Sequence, residues 1–96
     1  MPLTLINRFH FHSGNTDAFT RVWPDIATYM ERQDGFVSTR FSRSLKDPTE
    51  FVNVAVWDDE GSFRKALESE EFQQLSEPLA ELASSAPELF ETVYAS

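Results

Sequence analysis

The pattern of hydrophobic and polar residues along four segments of the chain predicts four β-strands. The predicted strands cover residues 3–11, 36–45, 50–57 and 89–95. The most informative segment is the third, which reads Phe-Val-Asn-Val-Ala-Val-Trp over residues 51–57. Because successive side chains of a strand point to opposite faces, Asn53, Ala55 and Trp57 share one face, and the three valines share the other.

Between strands one and two, apolar residues recur at the spacing of an amphipathic helix. These residues are Ala18, Phe19, Val22, Trp23, Ile26, Ala27 and Met30. After a turn at 13–15, Asn15 or Thr16 can cap the helix, and Gly35 can take the left-handed conformation that ends it. Pro24 interrupts the pattern, and we expect it to kink or restart the helix because proline lacks an N–H donor.

Capping residues divide the region after strand three into several helices. Residues 58–60 supply a cap and the acidic side chains that suit a helix N-terminus, and residues 69–71 form a second start. Residues 76–78 predict a further short helix, because Pro78 is tolerated only in a first turn. The apolar residues of these helices are Phe63, Ala66 and Leu67, then Phe72 and Leu75, and finally Leu79 and Leu82.

The predicted order of elements is strand, helix, strand, strand, helices, strand. This order is typical of an α+β, ferredoxin-like βαββαβ fold, in which helices cover one face of a four-stranded antiparallel sheet. The length of 96 residues predicts a single domain over residues 1–96. Right-handed crossovers place strands one and three side by side in the centre of the sheet. Asn7 then lies near Asn53 and Trp57 on the helix-covered face.

Asn7, Asn53 and Trp57 are the candidate functional residues. An asparagine within an apolar strand costs free energy unless its amide finds partners, and the small side chain of Ala55 leaves open space beside Trp57. Each residue alone also has a structural explanation. Asn7 could satisfy neighbouring backbone groups, and Trp57 could pack in the core. Their convergence on two central strands favours a pocket for a flat polar ligand.

The opposite face of the predicted sheet carries the apolar residues Ile6, Val52, Val54 and Val56. On an open sheet, these side chains form a large apolar patch for a monomer, so we expect a homodimer in which two sheets face each other. His10 and His12 also share this face, at a spacing that suits a metal ion. The sequence offers no third ligand, and we interpret them as surface or interface histidines rather than a metal site.

The net charge of −8 and the lack of cysteine exclude several classes of function. An acidic surface repels phosphate backbones, so we expect no nucleic-acid binding. No apolar run reaches the length of a membrane span, and the N-terminus lacks the pattern of a signal peptide, so we expect no membrane association and a cytoplasmic location. Without cysteine the chain has no disulfides, thiolate zinc sites or cysteine nucleophiles.

Several segments together resemble the antibiotic biosynthesis monooxygenase family, whose members have a dimeric α+β barrel fold. The segments are residues 6–9, 34–40, 51–57 with the following 58–67, and 71–72. The family includes cofactor-independent oxygenases that oxidise anthrone-type polyketides to quinones. In that branch two asparagines and a tryptophan are implicated in catalysis, and Asn7, Asn53 and Trp57 stand at the matching positions.

The resemblance implies a monooxygenase that oxidises a polycyclic aromatic, anthrone- or quinol-like substrate with dioxygen, without metal or flavin. The amides of Asn7 and Asn53 would stabilise the enolate oxygen of the substrate, and Trp57 would stack on its rings. No general base stands out in the sequence. We expect six further side chains to line the pocket, and they are Phe9, Phe19, Trp23, Phe63, Leu67 and Phe72. For most of them, core packing is an equally good explanation.

Two other functions stay open at this point. One is a non-catalytic dimeric barrel that binds a small hydrophobic ligand. The other is haem binding or degradation, since another branch of the family degrades haem with a histidine that ligates iron after the second helix. Residues 72–77, which correspond to that region, contain no histidine, and this argues against the haem branch.

Overall fold

The computed structural model describes residues 2–12 and 16–96, and its elements follow the predicted order. The elements are β1 (Leu3–Phe11), α1 (Thr16–Glu31), β2 (Phe36–Arg43), β3 (Glu50–Trp57), α2 (Glu60–Glu68), α3 (Glu70–Leu82) and β4 (Ala83–Glu91). The strands form an antiparallel sheet in the order β2-β3-β1-β4. This topology confirms the ferredoxin-like α+β fold and the central position of β1 and β3.

Burial alternates along β1 and β3 and gives the sheet one covered and one open face. The odd-numbered residues Leu5, Phe9 and Phe51 are buried beneath the helices. The even-numbered apolar residues are half-buried or exposed on the open face, where Val54 is 36% and Phe90 is 40% exposed. The predicted apolar patch on the open face is therefore present in the isolated chain.

Two apolar clusters form the core between the sheet and the helices. One contains Leu5, Ala55, Trp57, Phe63 and Ala66, and the other contains Phe9, Phe11, Phe19, Phe51 and Ala83. Along β3, Phe51 belongs to one cluster and Ala55 to the other, and the buried polar side chain of Asn53 lies between them. The boundary between the clusters is thus polar, and it lies at the centre of the sheet.

The first helix continues through its internal proline. α1 extends on both sides of Pro24, and Phe19 and Ile26, one on each side, are buried. Their burial outweighs the hydrogen bond that proline removes. Gly35 follows the helix with φ of +85°, as the sequence predicted. The predicted turn at 13–15, and the capping side chain of Asn15 or Thr16, lie outside what the structure describes.

The prediction of a separate short helix starting at 76–78 is wrong, because α3 continues through Pro78 to Leu82. The half-buried side chains of Phe72, Leu75 and Leu79 recur on one face of this helix, and their packing keeps it continuous. The predicted start of α3 is confirmed, since the Ser69 hydroxyl accepts a hydrogen bond from the backbone N–H of Phe72 at 3.1 Å.

The predicted cap of α2 is confirmed at Asp59. The Asp59 carboxylate accepts a hydrogen bond from the backbone N–H of Ser62 at 2.7 Å. This bond and a second one from the Ser62 side chain hold the pKa of Asp59 below its ordinary value. Asp59 is therefore the cap of α2, and Glu60 lies in the first turn of the helix.

The last strand differs most from the prediction. β4 covers Ala83–Glu91, so it begins six residues before the predicted start at Leu89 and ends four residues before the predicted end at 95. Antiparallel pairing with β1, from Phe11↔Ala83 to Leu3↔Glu91, sets these bounds. Pro87 is compatible with the strand because β4 is an edge strand, on which one row of N–H groups has no partner strand.

The second strand ends at Arg43, two residues before the predicted end, because residues 44–49 form the turn between β2 and β3. The Asp47 carboxylate accepts hydrogen bonds from the hydroxyl and the backbone N–H of Thr49, and these bonds lower the pKa of Asp47. In the described residues, no helix is long and apolar enough to cross a membrane.

Candidate active site

Two asparagine side chains lie side by side at the centre of the helix-covered face. Asn7 of β1 and Asn53 of β3 are direct cross-strand partners, so their Cβ atoms lie about 4.5–5.5 Å apart. Asn53 is 7% exposed and Asn7 is half-buried. The structure thus brings together the two amides that the strand pattern predicted to be neighbours.

The amide of Asn53 is held by a hydroxyl from the next strand. The Thr39 hydroxyl of β2 donates a hydrogen bond to Oδ1 of Asn53, with 2.6 Å between the oxygens. This bond satisfies the carbonyl end of the amide. The amide nitrogen of Asn53 has no hydrogen-bond partner among the described side chains and backbone groups. Two N–H donors are therefore available to a ligand.

The amide of Asn7 is less well satisfied. Its Oδ1 is buried and has no hydrogen-bond partner among residues 2–12 and 16–96. A buried acceptor without a partner costs about 1–3 kcal/mol of stability. A sheet built for stability alone would place an apolar side chain at this position. The amide is therefore better explained by the cavity beside it than by the fold.

A cavity of about 320 Å³ opens beside the two amides, between the sheet and the three described helices. Its volume falls within the range typical of small-molecule sites. Its walls are mainly apolar and aromatic, and none of the lining residues carries a charged side chain. The polar side chains of the walls belong to Asn7, Thr39, Asn53, Ser76 and Ser85, together with the indole N–H groups of Trp23 and Trp57.

Trp57 lines this cavity but is held more tightly than a free stacking surface. It is 1% exposed, and its ring meets Phe36 and Phe63 edge-on, with centroid distances of 5.3 and 5.8 Å. Two edge-to-face contacts fix the orientation of the indole. Trp57 is therefore a rigid part of the wall, two residues along β3 from the small side chain of Ala55.

Five of the six residues predicted to line the pocket do so, and they are Phe9, Trp23, Phe63, Leu67 and Phe72. The prediction for Phe19 is wrong. This side chain is fully buried, with its ring centroid 5.4 Å from that of Phe9 and 4.7 Å from that of Phe41. Phe19 therefore packs behind the cavity wall, because α1 turns it toward the second apolar cluster.

The sequence did not identify several other residues of the walls. Thr39 was missed because its face depends on a register shift in β2 between Phe36 and Ser38, which has no clear signal in the sequence. The helical spacing pointed to apolar faces but did not show which residues border open space. The further lining residues are Leu5, Ile26, Ala27, Met30, Phe36, Ser76, Leu79, Ala80, Ala83, Ser85 and Pro87, in addition to Ala55, which the sequence predicted to border open space.

The histidines lie away from this cavity. Nδ1 of His10 is 2.6 Å from Oε1 of Glu50, and this exposed pair lies on the open face of the sheet. In the part of the chain that the structure describes, no three metal-ligating side chains cluster. The cavity walls contain no carboxylate, imidazole or amine. The wall groups that can act on a ligand are thus amides, hydroxyls and the indoles of Trp23 and Trp57.

Comparisons with known proteins agree with this architecture. The model of the family "Antibiotic biosynthesis monooxygenase" matches residues 2–78. The chain is 35% identical over 88 residues to the deoxynogalonate monooxygenase of Streptomyces nogalater, and the match covers 92% of this chain and 74% of that protein.

Solved structures support the same relationship. SnoaB, a cofactor-independent oxygenase from Streptomyces nogalater, superposes with a TM-score of 0.90 at 32% identity, covering 98% of this chain and 95% of that one. A conserved protein from Methanosarcina mazei Go1 shares the fold, with a TM-score of 0.87 at 14% identity and coverage of 94% and 91%. The resemblance found in the sequence is confirmed, and this chain belongs to the antibiotic biosynthesis monooxygenase family.

Proposed function

We propose that this protein is a cofactor-independent monooxygenase that oxidises a polycyclic aromatic, anthrone- or quinol-like substrate with dioxygen. The observation that carries the proposal is the pair of adjacent amides, Asn7 and Asn53, beside an uncharged aromatic cavity. Deoxynogalonate monooxygenase and the cofactor-independent oxygenase SnoaB, both similar to this chain over most of its length, support the reaction class.

The size and walls of the cavity suit a flat, uncharged ring system. A volume of about 320 Å³ lies at the lower end of the range of small-molecule sites, which suits a ligand of a few fused rings. An ionised group would lose its hydration in this cavity without meeting an opposite charge. The net charge of −8 adds a further barrier to anionic ligands.

The chemistry uses the substrate as its own electron donor. Loss of a proton from the acidic C–H of an anthrone gives a delocalised carbanion, which transfers electrons to dioxygen. One oxygen atom ends in the new carbonyl group and the other in water, so that a CH₂ group and O₂ become C=O and H₂O. The proton passes through bound water to the solvent, because the walls supply no ionisable side chain.

The contribution of the protein is to stabilise the enolate oxygen as charge develops on it. The free N–H groups of Asn53 are suited to this role because the Thr39 hydroxyl already occupies the carbonyl of that amide. One such donor in a desolvated site is typically worth about 3–4 kcal/mol at the transition state. Asn7, the cross-strand partner of Asn53, adds a second amide beside it. The rigid indole of Trp57 positions the rings of the substrate.

We also propose that the protein is a homodimer. The open face of the sheet carries an apolar patch formed by Ile6, Val52, Val54, Val56 and Phe90. Two such faces packed against each other would remove these side chains from water, and the driving force is roughly 25 cal/mol for each Å² of apolar surface buried. The cavity lies on the other side of the sheet and stays accessible in this arrangement.

Oxygen consumption with an anthrone tests the proposed activity. Protein freed of metal by a chelator, and shown by its absorption spectrum to be free of flavin, is mixed with the substrate in an oxygen electrode. We expect wild type to consume oxygen and form the quinone, and Asn53→Ala to lower kcat by about 10²–10³-fold. Gln73→Ala, at an exposed position on α3, is the control and keeps wild-type activity.

Two results would contradict the proposal. One is that oxygen consumption with wild-type protein is no faster than in buffer alone. The other is that Asn53→Ala matches wild type at equal folded concentration. If the substrate raises the melting temperature but is not turned over, the protein is a binding module, and the alternative of a non-catalytic barrel is correct.

A further inference from the structure

The side chain that holds Asn53 comes from the strand next to it in the sheet. Thr39 lies opposite Ala55 in the β2–β3 register, whereas Asn53 lies opposite Phe41. The hydroxyl of Thr39 therefore reaches Asn53 diagonally, past the small side chain of Ala55. All three residues line the cavity.

A β-bulge brings this hydroxyl to the cavity. The register of β2 shifts between Phe36 and Ser38, so that Phe36 pairs with Trp57 while Thr39 pairs with Ala55. Strict alternation from Phe36 would place Ser38 and Arg40 on the helix-covered face. The shift turns Thr39 toward the cavity and leaves Arg40 exposed. A neutral hydroxyl, and not a guanidinium, therefore meets the amide.

The length of the hydrogen bond identifies which end of the amide Thr39 contacts. A separation of 2.6 Å is typical of O–H···O bonds and shorter than most N–H···O bonds. The hydroxyl thus donates to Oδ1 of Asn53. Because the amide is planar, fixing its oxygen also fixes the direction of its two N–H donors. The opposite orientation would point the carbonyl oxygen at an incoming oxyanion and repel it.

We propose that Thr39 is a positioning residue of this site, which orients Asn53 so that its amide N–H groups face the oxyanion of the substrate. This inference rests on the proposed function. The hydrogen bond is made before substrate arrives, so the site needs no reorganisation as charge develops. Loss of the hydroxyl leaves Asn53 in place but free to turn, and stabilisation is lost mainly at the transition state.

Two substitutions separate the hydroxyl from the shape of the side chain. Thr39→Val keeps the shape and removes the hydroxyl, whereas Thr39→Ser keeps the hydroxyl. We expect Thr39→Val to lower kcat about five- to twentyfold with KM within about twofold of wild type, and Thr39→Ser to retain most of the rate. Thr39→Ala replaces the valine variant if the latter folds poorly, and thermal melting reports folding for all of them.

The pH profile gives a readout that a merely structural role would not change. Stabilising the oxyanion lowers the pKa of the bound substrate. Thr39→Val should therefore move the rising limb of the kcat profile to higher pH, while Thr39→Ser leaves it in place. A second test is the double-mutant cycle with Asn53→Ala. In that background Thr39→Val should have no further effect on kcat, because the hydroxyl acts through the missing amide.

The outcomes distinguish this inference from the proposed function. If wild type does not turn over the anthrone, both are wrong. If wild type is active and Thr39→Val matches it in rate and pH profile, only the role of Thr39 is wrong. The same conclusion follows if the valine and serine variants lose activity equally, or if Thr39→Val lowers kcat as much with Asn53→Ala as without it.

Discussion

Replacing Asn7 with leucine should make the protein more stable and less active. Oδ1 of Asn7 is buried without a hydrogen-bond partner in the described structure, and its neighbours along the same face of β1, Leu5 and Phe9, are buried apolar residues. Leucine has about the same shape as asparagine and carries no polar atom. The substitution therefore removes an unsatisfied acceptor and adds apolar contact beside an existing cavity.

The expected gain in stability follows from the cost of leaving Oδ1 of Asn7 without a hydrogen bond. An unsatisfied buried polar group costs about 1–3 kcal/mol, so Asn7→Leu should raise the free energy of unfolding by about that amount. In a domain of this size each kcal/mol raises Tm by roughly 4–8 °C. Asn53→Leu is the matched comparison. It should stabilise less, because it leaves the Thr39 hydroxyl without its acceptor.

Urea denaturation, monitored by tryptophan fluorescence, measures the difference in free energy of unfolding between each variant and wild type. Asn7→Leu should shift the midpoint to higher urea with an unchanged m-value, at a fixed protein concentration so that any dimer dissociation contributes equally. Oxygen uptake on the same preparations should show a loss of kcat. The reasoning would be refuted if Asn7→Leu destabilised the protein, or if it kept wild-type kcat, since the amide would then serve the fold.

Three further predictions concern the packing of the helices, the helix cap and the open sheet face. Tyr29→Phe should lower the free energy of unfolding, measured by urea denaturation, by about 1–2 kcal/mol, because the buried hydroxyl of Tyr29 donates to the Ala66 carbonyl at 2.9 Å. Tyr94→Phe, at an exposed position, should leave it unchanged. The folded protein lowers the pKa of Asp59 from its ordinary value of 3.8. The ionised carboxylate therefore stabilises the fold above pH 3.8, and this stabilisation is lost as the pH falls through the folded-state pKa. The stability of Asp59→Asn should accordingly fall less in acid than that of wild type. Val54→Asp should convert the proposed dimer to a monomer in light scattering, whereas Leu45→Asp in the β2–β3 turn should not, and a monomeric wild type would contradict the interface.

The sequence predicted the parts of the fold that carry their own pattern. β1 carries most of its apolar residues at odd-numbered positions and β3 is apolar at nearly every position, and their bounds and mutual pairing follow from this pattern together with the crossover rule. Residues 83–88 are small or polar and show no alternation, and they form a strand only because they pair with β1. The local pattern therefore predicts a strand that begins only at Leu89, where apolar residues begin.

The candidate site shows the same division between local pattern and tertiary structure. Asn7 and Asn53 were predictable because a polar residue at a covered strand position is visible in the sequence. Phe19 was assigned to the pocket wrongly, because spacing shows that it faces inward but not that other rings separate it from the cavity. Thr39 depends on the bulge, which is a property of the pairing between two strands.

The polar and apolar parts of the site come from different layers of the fold, and this separates their functions. Thr39, Asn53 and Asn7 lie on three adjacent strands, where the hydrogen bonds of the sheet fix their positions. The helices contribute apolar and aromatic walls, such as Leu67 and Phe72, which can change size without moving the amides. A hydrogen-bonded sheet holds donors more precisely than loops would, and precise donors matter most for charge that develops in the transition state. For the proposed reaction, this division predicts that substitutions in the sheet change the rate of oxyanion formation, whereas substitutions in the helices change which ring systems bind.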